Sequence, residues 1–289
     1  QIILAVYQQG YKIKHIMTEE GNLETLFVDL TGLALRDYGG LNISLLVLLK
    51  QDFKNLATNP ITFTFCFIYP PALVFLFGFL FSYLYGTEQV TSYDFYGVTM
   101  MFYMLLGTIT ITPNTFMEKR IKAANVRIAY APIPRAEIYA SKLLSSFLFM
   151  GIMFTIDMAV MQSVGFVNYG TQQFGTVLLL MYAMLAFSIT LGGAVCVMLR
   201  SEELTNKILT IVATAFAVFS GVFFPIAGLG EWANRLSNCS PLKWVIDCAF
   251  QLIYDGKSDS FIPLTMGLLG CSVIFIVIVH CCYHPEDYI

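Results

Sequence analysis

The sequence is poor in charged residues. Only 12% of its 289 residues are Asp, Glu, Lys or Arg, about half the share found in soluble domains. Seven cysteines are too few for a disulfide framework, and a net charge of −3 gives no basis for nucleic-acid binding. Apolar residues make up 57% of the chain, and the mean hydropathy is +0.70. These proportions exclude an ordinary soluble domain and indicate a membrane protein.

Long apolar segments account for most of this excess. A helix needs roughly 20 apolar residues to cross about 30 Å of hydrocarbon. Segments of that length occupy residues 61–85, 95–117, 143–167, 174–199, 208–227 and 261–282. We therefore predict an all-α membrane protein with six transmembrane helices.

The positions of Lys and Arg predict the orientation of these spans, because positively charged loops stay in the cytoplasm. From Lys50 onward, ten of the sixteen basic residues lie just before the first span, between the second and third, or between the fourth and fifth. The opposite connections hold only Arg235, Lys243 and Lys257. We expect a multi-pass protein of the cell (plasma) membrane with both termini in the cytoplasm.

The residues before the first span differ from the rest. Residues 1–38 read as two short strands and an amphipathic helix, a small α/β remnant. Residues 39–60 form an amphipathic connecting helix that lies in the membrane interface, with Leu45, Leu48, Leu49, Phe53 and Leu56 as its apolar stripe. Asn59-Pro60 ends it, and residues 61–289 form the six-span membrane domain.

Part of this N-terminal segment resembles a known family. Leu23, Glu24, Phe27, Leu30, Thr31 and Gly32 resemble the stretch that closes the nucleotide-binding domain of ATP-binding-cassette (ABC) ATPases. A simple amphipathic helix capped by Asn22 is the alternative reading. The resemblance implies that residues 1–38 are the tail of an ATPase domain. Because the chain opens on Gln1, we expect the rest of that domain upstream.

The basic loop after the second span extends the resemblance. It resembles the coupling region of type-2 ABC exporter permeases, which starts with acidic and basic residues and ends in a Pro turn. That likeness implies ATPase-coupling roles for Glu118, Lys119, Arg120, Arg127 and Arg135, with Pro132 in the turn and Lys142 at the exit. The family often has Gly-Thr where this chain has Ala123-Ala124-Asn125.

The long loop before the sixth span carries a third resemblance. Residues from Pro241 form an amphipathic helix too short to span, so we predict a re-entrant or interfacial helix. The family's outer gate combines a Phe-Phe-Pro stretch with a Pro-led helix. By this likeness Phe223, Phe224, Pro225 and Trp244 form the outer gate.

The family also implies where a substrate would pass. Its path lies between two permease copies and is lined chiefly by the second and fifth spans. Here those spans offer Thr108, Thr110, Thr112, Asn114, Thr210, Thr214 and Ser220. Asp157 lies deep in the third span, where it contacts a cationic substrate or stays protonated against a neighbouring hydroxyl. Gly192, Gly193 and Gly267 are small enough for close helix packing.

Several patterns imitate other chemistry. Gly256-Lys257-Ser258 resembles the end of a phosphate-binding loop but lacks the first Gly, so we predict no catalytic residue in this chain. His280 and His284 are four residues apart, yet no further ligand pair accompanies them, and we predict no metal site. Cys239 and Cys248 are expected to be free, with a disulfide as the alternative.

Together these features predict half of an ABC exporter. The chain is expected to form a homodimer, to lie in membrane lipid, and to work with a fused or separate ABC ATPase domain that binds ATP and Mg. The exported substrate is an amphipathic drug, peptide, lipid or glycan. An intramembrane enzyme or a channel is the alternative; these need intramembrane catalytic pairs or a repeated polar pore segment.

Overall fold

The computed structural model describes residues 41–83, 86–87, 90–117, 128, 133–223, 235 and 237–284. The predicted ATPase tail, residues 1–38, lies outside these ranges. Nine α-helices and two short strands are present in the described part of the chain. They are α1 (Leu41–Ala57), α2 (Pro60–Phe63), α3 (Tyr69–Leu80), β1 (Gly86–Thr87), β2 (Val90–Thr91), α4 (Ser92–Met117), α5 (Arg135–Ser163), α6 (Phe174–Leu199), α7 (Glu202–Ser220), α8 (Pro241–Phe250) and α9 (Phe261–Cys282).

Six of these helical segments are long and apolar enough to cross a membrane, which confirms the predicted fold class. The first span, Pro60–Leu80, joins α2 to α3 through a π-helical segment, Thr64–Ile68. Spans two to six are α4, α5, α6, α7 and α9. β1 and β2 form an antiparallel ladder between spans one and two.

The π-helical segment has a local cause. Pro70 and Pro71 follow it directly, and neither has an N–H to donate to a carbonyl one turn back. The chain widens by one residue, so that the Tyr69 N–H bonds to the Thr64 carbonyl five residues earlier.

Two predicted span boundaries were wrong because hydropathy does not detect helix caps. The third span was expected at 143–167 but is the helix Arg135–Ser163, which starts directly after Pro134. It ends in a Schellman motif: Gly165 has a φ of 72°, and the Phe166 N–H bonds to the Met161 carbonyl at 3.0 Å.

The fifth span shows the same effect at both ends. It was expected at 208–227 but runs from Glu202 to Ser220. The Ser201 hydroxyl accepts the Leu204 N–H at 3.3 Å and caps the helix start. Gly221, with a φ of 79°, ends the helix in the left-handed conformation.

Span two is the centre of the bundle. It packs against spans one, four and five and against α8, and most of its residues are buried. Pro113 removes the donor for the Ile109 carbonyl, and the backbone of Gly192 in span four lies against that carbonyl. A Cβ at Gly192 would overlap the Ile109 oxygen. This confirms Gly192 as a close-packing residue.

Gly267 behaves differently from the packing role predicted for it. A Cβ added there would meet no atom within 4 Å. Span six is covered by few residues of the chain and leaves most of its surface exposed. Gly267 therefore borders open space and makes no close contact with another helix.

Candidate functional site

The fifth span presents a row of polar side chains to the outside of the chain. Glu203, Lys207, Thr210 and Thr214 are all exposed, and their spacing places them on one helix face. Lys207 Nζ and Glu203 Oε1 form an ion pair at 2.7 Å. Further along the span, Ser220 is buried and its hydroxyl donates to the Ala217 carbonyl at 2.9 Å.

The second span meets this helix through an amide pair. Asn206 Nδ2 in span five donates to Asn114 Oδ1 in span two at 3.0 Å. Asn114 was predicted from the sequence, whereas Asn206 was missed, although an Asn in an apolar helix is a recognisable sign of an interhelical hydrogen bond. The polar row and Asn114 thus belong to the same side of the bundle.

Two predicted path residues lie elsewhere. Thr108 and Thr112 are fully buried in the bundle, at 0% exposure. Their hydroxyls donate to the Leu105 and Thr108 carbonyls of their own helix at 2.7 and 3.1 Å. Because neither side chain reaches a surface of the chain, we leave both out of the proposed path.

A buried polar junction joins α1 to spans two and three. Lys142 is 1% exposed, and its Nζ donates to the Thr115 carbonyl at the end of span two, 2.9 Å away. Asp52 of α1 lies 3.8 Å from the same Nζ and accepts a hydrogen bond from Ser141 at 2.7 Å. Lys142 therefore joins the end of span two to the first turns of span three. We refer to Asp52, Thr115, Ser141 and Lys142 as the loop junction.

A second contact supports the same junction. Ser44 of α1 donates to Glu137 in the first turn of span three, and Glu137 is 7% exposed. Leu48, Asp52 and Leu56 are the buried residues of α1, four positions apart. Residues 41–57 are helical, as predicted, and the buried face of this helix includes an acid.

The coupling residues themselves fall mostly outside the described part of the chain. Glu118, Lys119, Arg120 and Arg127 are not described. Arg135 begins the third span, directly after Pro134. Their coupling roles stay predictions.

At the other end of the bundle, Phe223 belongs to an aromatic cluster. Its ring lies 6.0 Å from that of Phe77 in span one and 5.5 Å from that of Tyr103 in span two. The Tyr96 hydroxyl donates to the Phe223 carbonyl at 3.3 Å. Phe223 thus packs against spans one and two. Phe224 and Pro225, the other residues of this part of the predicted gate, lie outside the described residues.

Trp244 does not join that cluster. It lies on α8 and is 54% exposed, and it lines a pocket bounded by α8 and spans four and six. The expected α8 is otherwise confirmed, with Leu242, Val245, Ile246 and Ala249 buried. Its Phe250 ring stacks on Phe95 of span two at 5.5 Å. Trp244 is therefore assigned to the pocket rather than to a gate with Phe223.

Asp157 is buried at 4% exposure in span three. It interacts electrostatically with Cys66 in the π-helical segment of span one and with Tyr169 in the following loop. Its Oδ2 has no hydrogen-bond partner among the described residues. Burial raises the pKa of Tyr169 above its usual range, and the negative charges of Asp157 and Asp94 add to that effect. Asp157 is thus inside the bundle and apart from the polar row.

The remaining candidate ligands have separate partners. His280 Nδ1 lies 2.9 Å from the Tyr139 hydroxyl, whereas His284 Nδ1 lies 3.0 Å from the Cys282 carbonyl. Cys239 is exposed and Cys248 is buried, and both are free thiols. The alternative of a disulfide between them is thereby excluded.

Six helices long and apolar enough to span a membrane define a multi-pass membrane protein. The chain belongs to the ABC-2 type transporter family, whose model matches residues 43–254. It is also 26% identical over 182 residues to the linearmycin resistance permease protein LnrN of Bacillus subtilis (strain 168). That alignment covers 63% of this chain and 46% of the relative, so the chain spans less than half of the relative's length.

Proposed function

We propose that two copies of this chain form the membrane part of an ATP-driven exporter. Membership of the ABC-2 family makes the chain a transmembrane subunit that works with an ABC ATPase partner. In the proposal, the substrate passes outward between the two copies, both termini are cytoplasmic, and the ATPase binds ATP and Mg.

The observation that carries the proposal is the state of two hydroxyls in span five. Thr210 and Thr214 are exposed and make no hydrogen bond among the described residues. The threonines of the packed spans differ, since Thr108, Thr112 and Thr190 each donate to a carbonyl of their own helix. An unbonded hydroxyl is costly in hydrocarbon. Water or a second protein copy next to span five avoids that cost.

The ATPase acts on the loop junction in this proposal. The likeness of residues 23–32 to an ATPase tail supports a fused ATPase domain, and α1 then connects that domain to the bundle. Lys142 fixes the end of span two to the start of span three, so a push on residues 118–134 moves both spans together. Glu118, Lys119, Arg120, Arg127 and Arg135 receive the push in the proposal.

The substrate is proposed to be a drug-like amphipathic molecule. The name of the Bacillus subtilis relative associates that protein with resistance to linearmycin. The exposed row supports the same class, because Thr210 and Thr214 lie beside exposed Ile211 and Val218 on one helix. Such a surface offers both hydroxyls and apolar contacts to a substrate.

Transport into inside-out vesicles tests this proposal. The native protein, reconstituted with its ATPase, should take up doxorubicin, a fluorescent phospholipid or a fluorescent peptide when ATP is added. Replacing both Thr210 and Thr214 with Leu should lower that uptake about tenfold, equivalent to about 1.4 kcal/mol. Val273→Leu on span six is the matched control and should transport normally. An active ATPase without ATP-dependent uptake of any of the three probes would contradict the exporter.

Coupling is tested at the loop. Replacing Glu118 and Arg120 with Ala should leave the protein in the membrane but separate ATP hydrolysis from transport. Lys142→Met should have the same functional effect through the junction. Full transport with unchanged substrate-stimulated ATPase activity in these variants would reject the assignment of the loop.

A further inference from the structure

A pocket lies outside the proposed path, between α8, span four and the first half of span six. Its volume is about 540 Å³, which is within the range of small-molecule sites. Span five and the polar row do not contribute to its lining. It is therefore a second site, separate from the surface on which the proposed function rests.

The two walls of the pocket differ in chemistry. α8 and the residue after it contribute Trp244, Asp247 and Gln251. The spans contribute Phe187, Leu264 and Gly267. One wall thus carries a carboxylate, an amide and an indole ring, and the other is apolar. A molecule that fills both must be amphipathic.

The Asp247 carboxylate lacks a cation. Lys243 is one turn earlier on the same helix, but its Nζ donates to Asn238 Oδ1 at 2.9 Å. Asp247 forms no ion pair among the residues that the structure describes. Partial burial raises the pKa of this carboxyl, against the smaller opposite effect of Lys243. Asp247 is nevertheless an exposed residue of the pocket wall, so its carboxylate is accessible to a cation bound there.

The pocket also has an aromatic face and free volume. Trp244 is 54% exposed and lies one turn before Asp247, and indole rings attract cations. There is open space beside span six at Gly267, where a Cβ would meet no atom within 4 Å. An alkyl chain can occupy that space while the charged group stays at Asp247.

We propose that this pocket binds an amphipathic ammonium ion, with its cationic group between Asp247 and Trp244 and its apolar part against Phe187, Leu264 and Gly267. The cation belongs either to a free alkylamine or to the headgroup of an aminophospholipid. An anionic amphiphile would meet the carboxylate and is disfavoured.

Fluorescence of Trp244 tests the proposal without any transport. The full-length protein with Trp232→Phe is placed in phosphatidylcholine nanodiscs, a brominated undecylammonium ion is added as a quencher, and the same protein with Trp244→Phe as well gives the background from all other tryptophans. Quenching should saturate, and Asp247→Asn should weaken the apparent affinity about tenfold, as expected for loss of a charge-assisted contact. A brominated undecanol of the same length should bind native and Asp247→Asn protein equally.

A matched pair of glycine variants tests the location. Gly267→Leu fills the pocket and should remove saturable quenching. Gly270→Leu also adds a side chain to open space on span six but does not line the pocket, so it should quench like the parent. Equal affinity for the ammonium and the alcohol, or no effect of Asp247→Asn, would overturn the proposal.

The source of the cation is distinguished by a second titration. Brominated phosphatidylethanolamine, compared with brominated phosphatidylglycerol, replaces part of the nanodisc lipid. Quenching by phosphatidylethanolamine that depends on Asp247 identifies a lipid headgroup, whereas quenching by the free ammonium alone identifies a soluble amine. If neither cation quenches in an Asp247-dependent way, the proposal is wrong. This readout is independent of Thr214 and of ATP, so it can fail while the proposed function stands.

Discussion

Spans five and six both expose most of their surface, yet the two surfaces differ. Exposed positions of span six between Ile262 and Val277 carry no hydroxyl, amide or charge. Span five exposes Glu203, Lys207, Thr210 and Thr214 along one face. The exposed surfaces of these two helices therefore differ in polarity and need different surroundings. Span six has the surface of a lipid-facing helix, and we propose that span five faces a second copy and a water-filled path.

The largest difference in the free energy of unfolding is expected between a substitution at a closely packed glycine and one at an exposed glycine. Gly192→Leu would place a side chain against the Ile109 carbonyl of span two, which should cost about 3 kcal/mol. Gly270→Leu meets no atom within 4 Å and should leave stability nearly unchanged. Unfolding by SDS titration in mixed micelles, followed by circular dichroism, measures both. Similar losses would show that span six is covered by protein.

A polar residue placed on each exposed face should have a smaller effect. Val273→Asn puts an amide against lipid and should cost about 2 kcal/mol. Thr214→Asn puts the same amide on the exposed face of span five and should cost less than half as much, because the proposed path supplies hydrogen-bond partners. The same SDS titration, carried out on the dimeric fraction, gives the comparison. Equal costs would mean that both faces border the same medium.

The smallest effect is expected at the amide pair behind the polar row. Asn114→Leu leaves the Asn206 amide without its 3.0 Å partner. Interhelical hydrogen bonds in membranes contribute about 0.6 to 1.7 kcal/mol. A double-mutant cycle with Asn206→Leu should give a coupling energy of about 1 kcal/mol. A coupling energy of zero would remove this bond from the contacts that orient span five.

Sequence patterns were sufficient for the number of spans, for α1 and for α8. Apolar runs locate membrane-crossing helices because the requirement is length and hydropathy alone. The helix ends were missed because Pro134 and Ser201 precede helices that start before the apolar runs, whereas Gly221 ends a helix inside one.

The loop junction could be predicted only in part. Asp52 lies between Leu48 and Leu56 at a spacing of four residues, which places all three on one helix face. Its burial could therefore have been predicted from the sequence. Its partners could not, because Ser141 and Lys142 are about ninety positions further along the chain. From the sequence, Lys142 has the features of an ordinary cytoplasmic basic residue. Only the structure shows its contact with Thr115. The separation of Trp244 from Phe223 depends in the same way on tertiary packing.

Disulfide cross-linking between copies tests the central claim most directly. In a background with Cys239, Cys271, Cys281 and Cys282 replaced, Thr214→Cys on span five is compared with Val273→Cys on span six. The proposed axis predicts an oxidant-dependent band of twice the chain mass for Thr214→Cys and none for Val273→Cys. Efficient linking only at Val273→Cys, or only at exposed positions of the first span such as Phe79→Cys, would contradict it.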